Sequence, residues 1–231
     1  QSVFEKTSAN RGAAACWVSL KHIKRNSQSL SGQFFDFQSE NQLYKNLFIP
    51  LIGEHQLINA AVAICCVEQI LMKMVVVDLV HALISEGLKK VKLTGRLQVV
   101  KRKTKILIDS AHSPASFEAL WKTIQELFCY NRLIVVIGLM RDKNLKAIGE
   151  IMISAADEII ATQAFNNPRV YQAEEIVQAW SDFSIKSICA IPSAHEALQV
   201  AQSTARKSDL ICVTGSIYLA GEALKLLQQS Q

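Results

Sequence analysis

The sequence KILIDSAHSP at residues 105–114 decides the fold that this chain is expected to adopt. Its first half is a continuous hydrophobic run, which is typical of a strand buried on both faces of a parallel sheet. Asp109 and His112 follow at the carboxyl end of that strand, where open α/β sheets bind their ligands. Pro114 suits the first turn of the helical pattern that comes next. The stretch therefore predicts a strand, a loop and a helix, with a site in the loop.

The same alternation of strand and helix continues to the carboxyl end of the chain. Hydrophobic runs predict strands at residues 97–100, 106–109, 133–138, 158–162, 187–190 and 210–214. Apolar residues at helical spacing predict helices at 116–128, 145–153, 173–180, 194–205 and 221–228. This pattern is typical of the α/β class, with a mostly parallel, Rossmann-like sheet covered by helices on both faces. We expect residues 94–231 to form one complete domain that folds by itself.

The first 93 residues follow a different pattern, in which short strand-like runs precede two helices. The predicted elements are strands at 13–20, 33–37 and 43–51, a helix from Glu54, a second helix at 77–88 and a linker at 89–93. A few strands alone bury too little surface to be stable. We therefore expect residues 1–53 to be poorly ordered by themselves, and the chain to be a fragment or a processed product.

Composition narrows the class of protein. Half of the 231 residues are hydrophobic and the net charge is +5, which is typical of a globular chain with a mild positive charge. The one basic cluster, at residues 101–105, contains no aromatic residue, so it favours a small anionic substrate over a nucleic acid. Charged residues interrupt the apolar stretches well short of a membrane span. We expect a cytoplasmic protein that binds neither nucleic acid nor membrane.

The six cysteines are distributed without a Cys-x-x-Cys pair, and most of them lie inside apolar patterns. Such usage is typical of reduced thiols in a protein core, and it disfavours both disulfides and a structural zinc site. They stand at positions 16, 65, 66, 129, 189 and 212. No residue of the chain is predicted to bind a metal ion.

The polar cluster after the strand at 105–108 has two interpretations. A carboxylate and an imidazole at a strand end, here Asp109 and His112, bind a ribose hydroxyl, a phosphate or an amine, or hold each other in one tautomer. Alternatively, Asp109, Ser110 or Ser113 caps the following helix, because these residue types favour helix starts for local reasons. The two roles are compatible, and both remain open.

Three further segments carry weaker signals. Ser216, in the Thr-Gly-Ser sequence at 214–216, suits an anion near a helix start, although the same residues form ordinary turns. Arg96 suits a phosphate, although a lone arginine is more often a surface ion-pair partner. The loop at 138–143 brings Asp142 and Lys143 to a strand end, where solvated charges are the ordinary interpretation. The chain contains neither a Gly-x-x-x-x-Gly-Lys-Ser/Thr phosphate loop nor a Gly-x-Gly-x-x-Gly sequence.

Together, in this order, the motifs resemble the carboxyl-terminal part of the folylpolyglutamate synthase and dihydrofolate synthase family, within the Mur ligase superfamily. GEHQLINA at 53–60 matches the family pattern Gly-x-His-Gln-x-x-Asn-Ala, and DSAHSP at 109–114 matches Asp-x-Ala-His-Asn-Pro. Gly95-Arg96 matches Pro-Gly-Arg, and residues 138–143 and 214–219 complete the series. The resemblance covers nearly the whole chain. It implies that residues 1–93 are part of a central ATPase domain and that residues 94–231 are a glutamate-ligase domain.

The resemblance also implies an activity and residue roles. ATP phosphorylates a folate or dihydropteroate carboxylate, and the amine of L-glutamate attacks the acyl phosphate. Asn59 would contact the adenine, Arg96 the phosphates and Asp109 the ribose side of the nucleotide. His112 and Ser216 would line the place where glutamate meets the acyl phosphate. The Mg²⁺ ligands and the phosphate loop are expected mainly in the family's amino-terminal part, so we expect this chain alone to be inactive, and the full-length protein to be a monomer.

Two positions depart from the family pattern, since Thr94 replaces a proline and Ser113 an asparagine. Both changes affect turn geometry and leave the charged residues in place. Two other interpretations stay open at this point. One is a noncatalytic remnant or binding module with the same α/β fold. The other is a Mur-type peptide ligase, which the motifs at Asn59 and His112 disfavour.

Overall fold

The structure, a computed structural model, describes residues 2–13, 15–71, 77–101, 104–183 and 186–229. It divides the chain into two compact units, Gln1–Val91 and Lys92–Gln231. Arg102 and Lys103, which belong to the basic cluster noted in the sequence, lie outside the described residues. No helix of the described residues is both long and apolar enough to cross a membrane.

The first unit consists of a three-stranded antiparallel sheet, in the order β1-β2-β3, and helices. Its elements are α1 (Ser2–Asn10), a 3-10 helix (Leu20–His22), β1 (Ile23–Ser29), β2 (Gly32–Gln38), β3 (Leu43–Ile49), α2 (Glu54–Leu71) and α3 (Val77–Lys89). Alternate residues of β2 and β3, such as Phe35, Phe37 and Leu47, form a buried core with Leu57 and Ile64 of α2. This core forms because α2 and α3 cover one face of the sheet. Residues 1–53 alone would lack both helices.

The predicted strands at 33–37 and 43–51 and both predicted helices of this unit are confirmed. The strand predicted at 13–20 is wrong, because the described part of that range contains no strand; Ala14 lies outside it. The strand that pairs with β2 is β1, whose polar sequence IKRNSQS carries no hydrophobic signal. Backbone hydrogen bonds to β2 form it, and these do not depend on side-chain hydrophobicity. Helix α1 was also not predicted.

The second unit is an α/β domain with a six-stranded sheet in the order β4-β5-β9-β6-β7-β8. Strand β4 runs antiparallel to β5, and all the other neighbours are parallel, which confirms the predicted fold class. The strands are β4 (Gln98–Lys101), β5 (Lys105–Ile108), β6 (Leu133–Ile137), β7 (Glu158–Gln163), β8 (Ile188–Ser193) and β9 (Leu210–Thr214). The helices are α4 (Pro114–Leu127), α5 (Leu145–Ala155), α6 (Ala173–Ala179), α7 (Ala194–Thr204) and α8 (Ile217–Gln229).

Both faces of this sheet are covered, because successive side chains of each strand point to opposite faces. Ile134 and Val136 of β6 belong to a core shared with α7 and α8. Their neighbours Leu133 and Val135 line a small internal space together with side chains of α4 and α5. This burial on two sides explains why β6 is hydrophobic throughout and why the first four residues of β9 are hydrophobic too.

Two further details, one of the second unit and one of the whole set of cysteines, differ from the sequence-based expectations. Helix α8 begins at Ile217, four residues before the predicted start, because Gly221 lies inside the helix and not at its beginning. The cysteines are all free, but only Cys65 and Cys212 are buried, so the prediction of six core thiols is wrong for the other four. Cys66 lies within α2 and Cys189 on β8, yet both are exposed, so an apolar local pattern does not guarantee burial.

Candidate anion-binding site

A cavity of about 260 Å³ opens at the carboxyl edge of the sheet in the second unit. Strand β9 lies between β5 and β6, so the loops that follow these three parallel strands meet at one edge. The loop after β7 and the segment before β4 contribute as well. The lining residues are Arg96, Ser110, His112, Met140, Asp142, Lys143, Arg169, Ser216, Ile217 and Tyr218. The structure thus brings together three residues predicted to form a site, Arg96, His112 and Ser216.

The charges of the cavity favour an anion. Three cationic side chains, Arg96, Lys143 and Arg169, line it together with one carboxylate, Asp142. The Lys143 ammonium donates to Oδ2 of Asp142 at 2.7 Å, and this hydrogen bond lowers the pKa of Asp142 below its ordinary value. Asp142 therefore stays ionised at neutral pH and offsets one of the three positive charges. Arg96 forms no ion pair with any residue in the described ranges, so its charge is available to a ligand.

Arg169 is a site residue that the sequence analysis missed. Its carbonyl accepts a hydrogen bond from the N–H of Arg141 at 2.8 Å, which ties the loop after β7 to the loop after β6. Its Nη2 donates to the hydroxyl of Tyr218 at 3.2 Å. The available signal was its sequence position, since Asn-Pro-Arg follows strand β7 at the edge where the predicted site residues lie.

His112 is held in one tautomer. Its Nδ1 lies 2.9 Å from the carbonyl oxygen of Ser110. A carbonyl only accepts hydrogen bonds, so Nδ1 carries the proton and a neutral ring keeps Nε2 as an acceptor. The backbone N–H of His112 also donates to Oγ of Ser116, at 2.9 Å. The side chain is half-buried at the cavity wall, with an acceptor nitrogen available for an amine.

The amino terminus of α8 contributes to the cavity through Ser216 and Ile217. Oγ of Ser216 accepts a hydrogen bond from the N–H of Leu219 at 3.1 Å, as a helix-capping residue does. The preceding Gly215 has φ +107°, and a Cβ placed there would lie 2.5 Å from the carbonyl oxygen of Gly138. This close contact joins the predicted loops 138–143 and 214–216. The start of α8, which carries a partial positive charge, lies at the cavity through Ser216 and Ile217.

Asp109 lies at the end of β5 and is buried. Its Oδ2 accepts the N–H of Leu97 at 2.9 Å, and its Oδ1 accepts the N–H of Ala111 at 2.7 Å. The capping alternative is confirmed for Ser113, which is the N-cap of α4 and forms a capping box with Ser116. The contact predicted between Asp109 and a nucleotide stays a prediction.

Asn59 belongs to the first unit, on α2, where its Nδ2 donates to Oε1 of Gln56 at 3.2 Å. Its predicted adenine contact is not tested by this arrangement. As for metals, the described residues contain no group of three or more His, Cys, Asp or Glu side chains that could hold an ion. The residues that line the cavity therefore do not by themselves fit a Mg²⁺ site. The cationic side chains of the cavity fit phosphate or carboxylate groups instead.

Comparison with known proteins identifies the family of this chain. The family profile described as Mur ligase, glutamate ligase domain, matches residues 95–217. The dihydrofolate synthase/folylpolyglutamate synthase of Bacillus subtilis (strain 168) is 28% identical over 198 residues, covering 86% of this chain and 45% of the relative. The chain thus spans about half the length of the curated relatives that it matches.

Solved structures show the same fold. Mycobacterium tuberculosis folylpolyglutamate synthase, determined with ADP and AMPPCP, superimposes with a TM-score of 0.82 at 25% identity, covering 97% of this chain and 52% of that one. A bifunctional folylpolyglutamate synthase/dihydrofolate synthase with Mn, AMPPNP and L-glutamate gives a TM-score of 0.77 at 20% identity, covering 97% and 50%. The chain belongs to the Mur ligase family, whose glutamate ligase domain it carries at residues 95–217, and it is similar to that family's folylpolyglutamate and dihydrofolate synthases.

Proposed function

We propose that this chain supplies the glutamate-binding part of an ATP-dependent ligase that joins L-glutamate to a folate or dihydropteroate carboxylate. The observation that carries the proposal is the cavity at the carboxyl edge of the second unit, where three cations, one neutral acceptor nitrogen and a helix amino terminus meet. Two anionic reactants need such a site, because their like charges repel each other unless cations lie between them. The solved structure with AMPPNP and L-glutamate supports this choice of reactants.

In the proposed reaction ATP supplies the phosphoryl group, which passes to an oxygen of the substrate carboxylate and releases ADP. The glutamate amine then attacks the acyl carbon, an amide forms and inorganic phosphate leaves. Arg96 and Lys143, which line the cavity, would offset phosphoryl charge, and Arg169 would bind a carboxylate of the incoming glutamate. The amine must lose a proton before it attacks, and Nε2 of His112 is the acceptor on the cavity wall. Ser216, which caps the start of α8, would line the place where the glutamate meets the acyl phosphate.

The remaining parts of the proposal follow the family resemblance. Asn59 and Asp109 would contact the adenine and ribose of ATP. Mg²⁺ would assist phosphoryl transfer, but the described residues offer no carboxylate set for it, so we assign no step of the reaction to a metal held here. We further propose that this chain alone does not turn over. Nothing in its sequence matches the phosphate loop that cradles the β- and γ-phosphates in such enzymes.

An NMR titration of the ¹⁵N-labelled chain with L-glutamate and with pyrophosphate tests the site. We expect shifts at the backbone signals of residues 110–112, 140–143, 169 and 216–218, and a loss of the glutamate response in Arg169→Ala. Lys207→Ala is the matched control, since Lys207 lies beside a different cavity, with Lys105 and Tyr130. Shifts confined to that second cavity, or no shifts with either ligand, would contradict the proposed function.

A further inference from the structure

We propose that Asp109 is a positioning residue that couples Arg96 to His112, so that one carboxylate sets the geometry of both side chains. The inference deepens the proposed function and rests on it for the identity of the ligand. The contacts themselves are independent of it. They consist of two backbone N–H groups on opposite sides of one buried carboxylate, and each N–H belongs to the residue next to a cavity side chain.

The turn that carries Arg96 is conformationally strained. Gly95 has φ +69° and Leu97 has φ +45°, so a leucine occupies the left-handed region that side chains other than glycine rarely adopt. Such a conformation persists only where the surroundings impose it. Here Oδ2 of Asp109 accepts the N–H of Leu97, and Oε1 of Gln98 accepts the N–H of Gly95 at 3.0 Å. Arg96 stands between these two held residues, with an exposed side chain at the cavity.

The second oxygen of the Asp109 carboxylate binds the backbone next to His112, on the other side of the cavity. Oδ1 accepts the N–H of Ala111 at 2.7 Å, and Ala111 directly precedes His112. The carbonyl of Ala111 in turn accepts the N–H of Gly215 at 3.0 Å, which brings the start of α8 into the same arrangement. Asp109 is 5% exposed, so these hydrogen bonds are formed largely without competition from water. Movement of the Arg96 turn is therefore transmitted to His112 through a single rigid group.

The substitution Asp109→Asn separates this role from a contact with ribose. An amide still pairs with a ribose hydroxyl, because a hydroxyl both donates and accepts. An amide does not accept two N–H groups on its two ends, since its NH₂ would face one of them as a second donor. Pyrophosphate is the probe, because it carries the anionic charge but no ribose. We expect Asp109→Asn to weaken pyrophosphate binding by about tenfold, the loss typical of a hydrogen bond to a charged group.

NMR of the full chain supplies the second measurement. In Asp109→Asn we expect the amide proton signals of Leu97 and Ala111 to move upfield, and the Arg96 side-chain Nε–Hε signal to sharpen as the turn loosens. Gln98→Ala is the matched variant, because it releases only the Gly95 side. It should weaken pyrophosphate binding by about threefold and leave the His112 amide signal unchanged.

Several results would overturn the inference. One is unchanged Leu97, Ala111 and Arg96 signals in Asp109→Asn; another is unchanged pyrophosphate affinity in the same variant. If Asp109→Asn does not fold, Asp109→Ser, which keeps one acceptor oxygen, replaces it, and the same signals and the same affinity decide. If the unsubstituted chain does not bind pyrophosphate at all, the proposed function loses its support, while the amide signals still decide whether Asp109 couples the two side chains.

Discussion

The close contact between Gly215 and Gly138 predicts how a substitution at Gly215 changes the free energy of unfolding. Gly215 has φ +107°, and a Cβ added there would lie 2.5 Å from the Gly138 carbonyl oxygen and 3.0 Å from its backbone N and C atoms. These neighbours are backbone atoms at the end of β6, so no flexible side chain can move aside. Gly215→Ala must therefore either strain the turn or push apart the ends of β6 and β9.

Two free-energy costs determine how strongly Gly215→Ala destabilises the fold. Placing an L-residue at a positive φ costs about 1–2 kcal/mol. Forcing an extra methyl group into a packed site costs about 1–3 kcal/mol. We therefore expect Gly215→Ala to lower the free energy of unfolding by about 3 kcal/mol. For a unit of about 140 residues, with an unfolding entropy near 2 cal/mol/K per residue, this corresponds to a Tm decrease of about 10 °C.

Differential scanning calorimetry measures the decrease in Tm, and a glycine in the following helix, α8, provides the control. Gly221 lies inside α8, where an added Cβ would meet no atom within 4 Å and no positive φ is required. Gly221→Ala should raise stability by about 0.5–1 kcal/mol, because alanine is the better helix former. A Gly215→Ala chain that melts at or above the unsubstituted chain would show that an added Cβ is accommodated at this contact without strain. The displaced start of α8 should also weaken pyrophosphate binding in Gly215→Ala.

Two further predictions concern titratable groups. Burial raises the pKa of the Cys65 thiol to about 12, so iodoacetamide at pH 8 should label the exposed Cys129 and spare Cys65 until the chain unfolds; equal labelling rates would contradict this. Burial alone would raise the pKa of Asp157, but hydrogen bonds from Lys186 and from the N–H of Leu133 outweigh it, so its pKa lies below the ordinary value. The stability that this carboxylate contributes is present above about pH 4 and is lost as the pH falls through its lowered folded-state pKa. Acid titration followed by circular dichroism should show a flatter decline for Asp157→Asn; an unchanged profile would exclude the contribution.

Local sequence predicted the elements that have a strong hydrophobic pattern. The strands β5, β6 and β9 contain the hydrophobic runs 106–108, 133–137 and 210–213 because both faces of the sheet are covered, and such runs are visible in the sequence alone. Strand β1 was missed because its exposed, polar residues are held by pairing with β2 and not by burial. The start of α8 was misplaced because Gly221 resembles a helix boundary, whereas Ser216 is the residue that caps the helix.

The candidate site was predicted in part for the same reason. His112 and Ser216 directly follow hydrophobic strands, so the rule that ligands bind at strand ends located them. Arg169 follows a strand too, but it lies six residues beyond the last residue of β7 and belongs to none of the motifs noted in the sequence. Its place at the cavity and its hydrogen bonds to Arg141 and Tyr218 are seen only in the structure. The hydrogen bond between Asp109 and the N–H of Leu97 could not be predicted from the sequence either, because Leu97 lies twelve residues earlier, just before β4.

The hydrophobic pattern of the sequence was enough to predict the class of fold, the approximate bounds of most helices and strands, and the edge of the sheet at which the candidate site lies. Tertiary structure alone decided that β9, the last strand in sequence, lies between β5 and β6. That order places Gly215 on Gly138 and brings Arg96, His112, Arg169 and Ser216 to one cavity. The physical reason is that hydrophobic periodicity reflects only whether a residue is buried. Strand order depends on backbone hydrogen bonds between segments far apart in the chain, and every one of these strands could form such bonds equally well.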